Sequence, residues 1–165
     1  LQKVHGISPT DALTANSLAI VALTLGCIFY GRLIDSLGSG PTFVLGSLLL
    51  AGATYAFYHS LAAGMDQLVP LYMLAGFAVG IVGAVPYVMV NAFPPVVRFS
   101  GLSFSYNVAY AIFGGLTPML VTLWMKNDVL APSHYVVSLA GLGFVLGLWL
   151  WLRQRTRRQV TPQTA

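Results

Sequence analysis

The sequence predicts an all-α transmembrane protein with five membrane-spanning helices. Apolar residues make up 57% of the chain and charged residues only 7%, whereas a soluble domain typically carries about a quarter charged residues. The chain contains no glutamate, and its other charges fall in connectors, tails and the ends of apolar segments. Because so few charges cannot cover a globule in water, the bilayer is the expected solvent.

Five apolar stretches have roughly the 20 residues that a spanning helix needs. Short connectors rich in Gly, Pro, Ser and Asp separate them, as expected of helix ends and turns. Residues 153–165, which follow the last of these stretches, form a predicted cytoplasmic tail. In chain order the predicted spans 1 to 5 cover residues 11–31, 41–60, 68–90, 101–125 and 135–152.

The positions of Lys and Arg predict the orientation, because cytoplasmic ends carry the positive charges. With the C-terminus cytoplasmic and Leu1 outside, six arginines lie inside and two lysines outside. Trp149 and Trp151 beside the tail fit an interfacial belt, and the tail cluster fits a membrane end or anionic lipid better than nucleic acid. The inside arginines are Arg32, Arg98, Arg153, Arg155, Arg157 and Arg158, and the outside lysines are Lys3 and Lys126.

Small residues recur at helical spacing on three of the spans. Lipid provides no hydrophobic drive for helix association, and small faces let membrane helices approach closely, so packing is the first interpretation of each face. Span 3 also fits a cavity lining, because Tyr87 and Asn91 continue its face and Pro86 removes a backbone hydrogen bond. The three faces are Ala15, Ala19, Ala22 and Gly26; Gly76, Gly80 and Gly83; and Ala140, Gly143 and Gly147.

Span 4 places hydroxyls, an amide and small residues on one face over about four helical turns. Polar groups are expensive within a bilayer, so this placement calls for an explanation. Interhelical hydrogen bonding is one, and a water-filled pathway for a solute is the other. The candidates for a solute pathway are Tyr87 and Asn91 from span 3 and Ser103, Tyr106, Asn107, Tyr110 and Thr117 from span 4.

Two motifs resemble transporters of the major facilitator superfamily. The connector at residues 31–41 resembles the cytoplasmic G-x-L-x-D-R-x-G-R-[RK] signature, with Ser36, Ser39 and Gly40 in the basic positions. The stretch F-P-P-V-V-R-F-S-G-L-S-F-S-Y-N at residues 93–107, followed by G-G-L-T-P, resembles the metabolite:proton symporter branch. That branch includes proline/betaine, alpha-ketoglutarate, citrate and shikimate transporters. Gly6, Ile7 and Ser8 with Asn16 also resemble the start of its eighth helix.

The resemblance covers nearly the whole chain and implies helices eight to twelve of a twelve-helix fold. Residues 1–165 would then be a partial C-terminal half in a bacterial inner (plasma) membrane, and the missing N-terminal half would be its partner. The chain starts at Leu1 without a signal peptide, which fits a fragment. The family's glutamate falls on Asn91. Asp35 and Arg98 are the gate candidates that the resemblance implies, with a helix cap and a positive-inside anchor as the respective alternatives.

The function that follows is secondary active transport of a small organic solute by alternating access, coupled to protons through the resemblance alone. We expect no cofactor and no metal. His5, His59 and His134 lie near the outer ends of the spans, so a proton site is expected in the missing half. A non-transporting subunit or truncated remnant is the alternative. An intramembrane enzyme is disfavoured, because the sequence has no H-x-x-x-H motif and no paired carboxylates.

Overall fold

The computed structural model describes residues 8–64 and 68–160 of the chain. Every regular element in these ranges is a helix, and five helices are long and apolar enough to cross a membrane. The predicted fold class is therefore confirmed. The observed spans keep the numbers 1 to 5 and cover Pro9–Leu37, Ser39–Ala62, Val69–Ala92, Arg98–Trp124 and Ala131–Arg155.

Three of the spans are continuous α-helices and two are interrupted. Helix α1 (Pro9–Leu37) forms span 1, α2 (Ser39–Ala62) forms span 2, and α7 (Ala131–Val160) contains span 5. Span 3 consists of α3 (Leu68–Val79), a 3₁₀ segment (Gly80–Ala84) and α4 (Val85–Ala92). Span 4 consists of α5 (Arg98–Ala109), a π-helical segment (Tyr110–Gly114) and α6 (Gly115–Trp124).

A single residue, Gly38, separates spans 1 and 2, so the predicted connector at residues 31–41 is wrong in its extent. The helix continues past residue 31 because residues 32–37 contain no helix breaker and Ile34 is buried. Gly38 has a φ of 88°, a conformation that non-glycine residues rarely adopt. Its N–H donates to the carbonyl oxygen of Ile34 over 2.9 Å and ends the helix there.

The two ends of the described chain also differ from the predicted bounds. Span 1 begins at Pro9 because the Ser8 hydroxyl accepts a hydrogen bond from the backbone N–H of Asp11 over 3.1 Å. Pro9 follows at the first helical position, where its missing N–H has no consequence. At the other end, the helix of span 5 continues to Val160, so the predicted tail begins as a helix.

The small face of span 1 packs against the glycines of span 3. A methyl group added to Gly80 would lie 2.5 Å from the carbonyl carbon of Gly26, and one added to Gly26 would overlap the carbonyl of Phe77. Gly76 meets the backbone of Ala19 in the same way. The packing prediction for span 1 is confirmed, and the glycines of span 3 pack on it instead of lining a cavity.

Span 5 packs against span 2 through its own small face. A methyl group on Gly147 would lie 2.7 Å from the backbone nitrogen of Val44, and one on Gly143 would lie 2.7 Å from the hydroxyl of Ser47. Between these pairs, a small apolar core joins spans 1, 2 and 3. Its buried members are Tyr30, Ile34, Phe43, Ile81 and Ala84.

Span 4 stands apart from the other four. No residue of its helical segments is buried in the described chain. It meets its neighbours near its start and in its last third: Gly101 lies against the ring of Phe93, and the hydroxyls of Thr117 and Tyr135 lie 2.6 Å apart. Among the described residues, the part of span 4 between these two contacts has no packing partner of the kind that the other spans have.

Replacing Gly26 by Ala is expected to destabilise the folded protein by about 1–3 kcal/mol, because the added methyl group meets backbone that can only move as a helix. Gly52→Ala is the matched control, since nothing lies within 4 Å of its added methyl group. That substitution should be neutral or stabilising by up to about 1 kcal/mol. Thermal unfolding of the full-length natural protein in detergent measures both. Equal stability of the two variants would contradict the packing described here.

Candidate functional site

Span 3 is interrupted where Pro86 follows the glycine contacts. In a continuous α-helix the N–H of residue 86 would donate to the carbonyl of Val82, and proline has no N–H. The N–H of Val85 donates to that carbonyl instead, which produces the 3₁₀ segment Gly80–Ala84. The predicted loosening of the backbone by Pro86 is confirmed. It lies one residue before Tyr87, a solute-pathway candidate.

Span 4 is interrupted in its polar half. Pro118 lies inside helix α6 and cannot donate to the carbonyl of Gly114, which is the last residue of the π-helical segment. The segment begins at Tyr110, whose ring stacks on that of Tyr106 with 4.9 Å between the centroids. Single π-helical turns within α-helices occur frequently at functional sites. Here one coincides with the polar face that the sequence singles out.

The polar residues of span 4 make few bonds to other spans. The amide of Asn107 donates to the carbonyl of Ser103 over 2.8 Å, within its own helix. Thr117 alone of the five candidates bonds across, to Tyr135. Interhelical bonding therefore explains Thr117 but does not explain Asn107 or Tyr110, whose side chains are exposed. The face from Ser103 to Tyr110 is open on the described part of the chain.

The two candidates of span 3 lie in a different place. Tyr87 and Asn91 line a cleft of about 570 Å³ between the ends of spans 3 and 5. The amide of Asn91 donates to the carbonyl of Tyr87 over 2.8 Å. Among the described residues, no hydrogen bond joins this pair to the span 4 candidates. The polar lining of this cleft, called here the 3/5 cleft, consists of Ser39, Tyr87, Asn91, Arg153 and Gln154, with Trp149 beside them.

The two gate candidates are not paired with each other. Asp35 is exposed in the last turn of span 1, and Arg98 is the first residue of span 4, half-buried, with its Nε donating to the carbonyl of Phe93 over 3.4 Å. Within the described ranges, the only ion pair joins His134 and Asp128. The cap alternative for Asp35 is wrong, because Gly38 occupies the N-cap of span 2 and no side chain bonds there.

One contact at this end is invisible in the sequence. The amide of Gln154 donates to the Ser39 hydroxyl over 2.7 Å, across a separation of 115 residues. A methyl group on Gly40 would lie 2.5 Å from the backbone nitrogen of Trp151. Ser39 and Gly40 occupy two of the basic positions of the G-x-L-x-D-R-x-G-R-[RK] signature. Both are therefore buried against span 5, where a long cationic side chain has no room. Ser36, at the third, is exposed.

Two arginines at the end of span 5 lie over the tryptophans predicted to form the belt. The guanidinium carbon of Arg153 is 5.0 Å from the ring centre of Trp149, and that of Arg155 is 4.8 Å from Trp151. Such contacts stabilise a cation on an aromatic face. In the described ranges, no group of three or more His, Cys, Asp or Glu side chains is placed to hold a metal ion.

These features describe a multi-span membrane protein with one polar, distorted helix. A putative proline/betaine transporter of Staphylococcus aureus is 26% identical over 151 residues, 86% of this chain and 32% of that protein. The Salmonella typhimurium proline/betaine transporter is 27% identical over 79% of this chain and 28% of its own length. The Escherichia coli inner membrane metabolite transport protein YhjE is 28% identical over 93% of this chain and 35% of its own length.

No protein-family model and no solved structure matches the chain. The relatives nevertheless confirm the resemblance to metabolite transporters, because their similarity extends over most of the chain. All three relatives are named as transporters, and transporters are not enzymes. This agrees with the prediction from the sequence that the chain is not an enzyme. The chain spans about a third of the length of the curated relatives it matches.

Arginine introduced at a buried and at an exposed basic position of the signature should change the stability of the protein by different amounts. Ser39→Arg is expected to destabilise the protein by about 1–3 kcal/mol, since it removes the bond to Gln154 and overfills a buried position. Ser36→Arg at the exposed position should change the stability by no more than about 0.5 kcal/mol. Thermal unfolding measures the difference, and a stable Ser39→Arg variant would refute the described contact.

Proposed function

We propose that this chain is the C-terminal part of a secondary transporter that moves a small organic solute by alternating access. The observation that carries the proposal is the open polar face of span 4, interrupted by a π-helical segment at its centre. Contact of the exposed Asn107 and Tyr110 side chains with lipid would cost free energy, and a water-filled pathway removes this cost. The relatives named as proline/betaine and metabolite transporters support the same class.

The pairing of the spans supports a further helix before span 1, in the same half of the fold. Under the resemblance, spans 1 to 5 are helices eight to twelve, and each half of the fold consists of two inverted three-helix repeats. The repeat operation relates helix eight to eleven and helix ten to seven. The tight pair of spans 1 and 3 then corresponds to a pair formed by span 4 and a helix preceding span 1. Span 4 is the span that lacks such a partner in the described chain.

The chemistry of span 4 favours a zwitterionic or neutral solute. Its polar face carries hydroxyls, one amide and the stacked rings of Tyr106 and Tyr110, with no Lys, Arg, Asp or Glu among them. Aromatic faces attract quaternary ammonium groups, and an amide can hydrogen-bond a carboxylate. A small betaine-like or proline-like solute fits these groups, which agrees with the relatives' names.

The two interrupted spans are the proposed places of bending. Alternating access requires helices to change shape around a fixed site. The 3₁₀ segment of span 3 and the π-helical segment of span 4 already lack regular backbone bonds, so bending there breaks fewer of them. Asp35 and Arg98 lie at the arginine-rich end, which we propose is cytoplasmic, and would pair or separate with partners in the other half.

The two described histidines bear on proton coupling. His59 is exposed and stacks on Tyr55, and His134 lies 3.0 Å from Asp128 near the opposite end from the arginines. Neither lies beside the polar face of span 4. A coupled proton would therefore bind to the missing half, in keeping with the expectation from the sequence.

Uptake into proteoliposomes tests the proposal. The full-length natural protein should take up labelled betaine or proline saturably, with a labelled dicarboxylate as the comparison solute. A protonophore should abolish the uptake if protons are coupled. Saturable uptake that ignores the protonophore would correct only the coupling. Absence of saturable uptake for all three solutes would favour the alternative, a non-transporting subunit.

Replacing Asn107 by Ala should lower kcat/KM for uptake about fivefold, which corresponds to one hydrogen bond of about 1 kcal/mol to the solute. Val108→Ala is the control on the same helix away from the polar face, and it should stay within about twofold. Uptake rates are compared at equal amounts of reconstituted protein. If both variants match the unmodified protein, the face of span 4 serves packing instead of transport.

A further inference from the structure

The 3/5 cleft differs in chemistry from the open face of span 4. It lies between the ends of spans 3 and 5, and Ser39 at the start of span 2 contributes its floor. Arg153 provides a positive charge there, next to the amides of Asn91 and Gln154 and the hydroxyl of Tyr87. All of these side chains can donate hydrogen bonds. The cleft therefore presents several donors and one cation to whatever enters it.

No carboxylate of the described residues lines the 3/5 cleft. Asp35 is the one acidic side chain in the sequence near the arginine-rich ends of the spans, and it is not part of the lining. Asn91 stands where the resemblance would put a glutamate. With an amide at this position, Arg153 has no acidic competitor within the cleft, and its charge remains available to an anion.

The other wall of the cleft is apolar. Val88 from span 3 and Leu146 and Leu150 from span 5 line it. Leu142 continues the line along span 5 and is 69% exposed. An anion entering here thus meets donors at the end of the helices and an apolar track running toward the other end. A free phosphate would contact only the hydrogen-bond donors, whereas a phospholipid would contact both the donors and the apolar track.

The level of the cleft along the bilayer normal also matches that of a lipid head group. Trp149 lies at its edge, under the guanidinium of Arg153. Tryptophans of this kind mark the level of the head groups, and basic pockets between spans on the cytoplasmic side bind anionic head groups. Gln154 is held in place by its bond to Ser39, so one wall of the cleft is already ordered before a ligand arrives.

We propose that the 3/5 cleft binds the phosphate of an anionic phospholipid, with its acyl chains lying along spans 3 and 5. Arg153 neutralises the phosphate, Asn91 and Gln154 border it, and the leucines of span 5 contact the chain. This site is independent of which solute the protein carries. Arg155 offers a matched comparison, because it lies two residues away over Trp151 and does not line the cleft.

Native mass spectrometry of the full-length natural protein tests the site, with phosphatidylglycerol or phosphatidylcholine titrated into the detergent. Phosphatidylglycerol should bind at least about tenfold more tightly, the factor expected for one charge-assisted hydrogen bond. Arg153→Gln should remove this preference, and so should Asn91→Glu, which places a carboxylate in the cleft. Arg155→Gln should keep most of it. Thermal unfolding checks that each variant is folded, and the two independent cleft variants guard against a misfolded one.

Three results would overturn the proposal. Equal losses in Arg153→Gln and Arg155→Gln would show general attraction of lipid to a basic surface. Equal binding of the two lipids by the unmodified protein would show that the net negative charge of the head group is not recognised, which excludes an anionic lipid as the specific occupant. Competition by soluble glycerol phosphate at concentrations equal to those of the lipid would identify a site for a free phosphate ester instead.

Discussion

The structure depends on close contact between helix backbones. Inside a bilayer the surrounding lipid is as apolar as the helices, so burial of leucine provides no drive for their association. What holds spans 1 and 3 together is the approach of Gly26 to Gly80, and what holds spans 2 and 5 together is the approach of Gly147 to Val44. Each contact permits only a residue without a side chain, which is why glycine recurs on these faces.

Much of this arrangement could be predicted from residue spacing. The five spans and the small faces follow from a helical period and from the length of a bilayer, because both are local properties of the chain. The predicted connector at residues 31–41 failed for a local reason as well. Gly31 looks like a helix end, but residues 32–37 contain no helix breaker and Ile34 is buried, so the helix ends only at Gly38.

Other features could not be predicted from spacing, because they depend on which face meets which. The bond from Gln154 to Ser39 joins residues that are 115 positions apart in the chain. The separation of Tyr87 and Asn91 from the span 4 candidates follows from the packing of span 3 between its neighbours. Both groups consist of polar residues within apolar spans. Helical periodicity alone does not distinguish the two groups, so the sequence predicted a single pathway. The structure divides them into an open helix face and a basic cleft.

Two contacts hold span 4, one between Phe93 and Gly101 and the other between Tyr135 and Thr117. While both contacts persist, the helix between them can bend or twist about its own axis. The π-helical segment makes such a twist geometrically simple, since it holds one extra residue per turn. If that extra residue moved along the helix by one turn, the residues it passed would rotate by about 100° about the axis while both ends stayed in place. A different set of side chains would then face the proposed solute pathway.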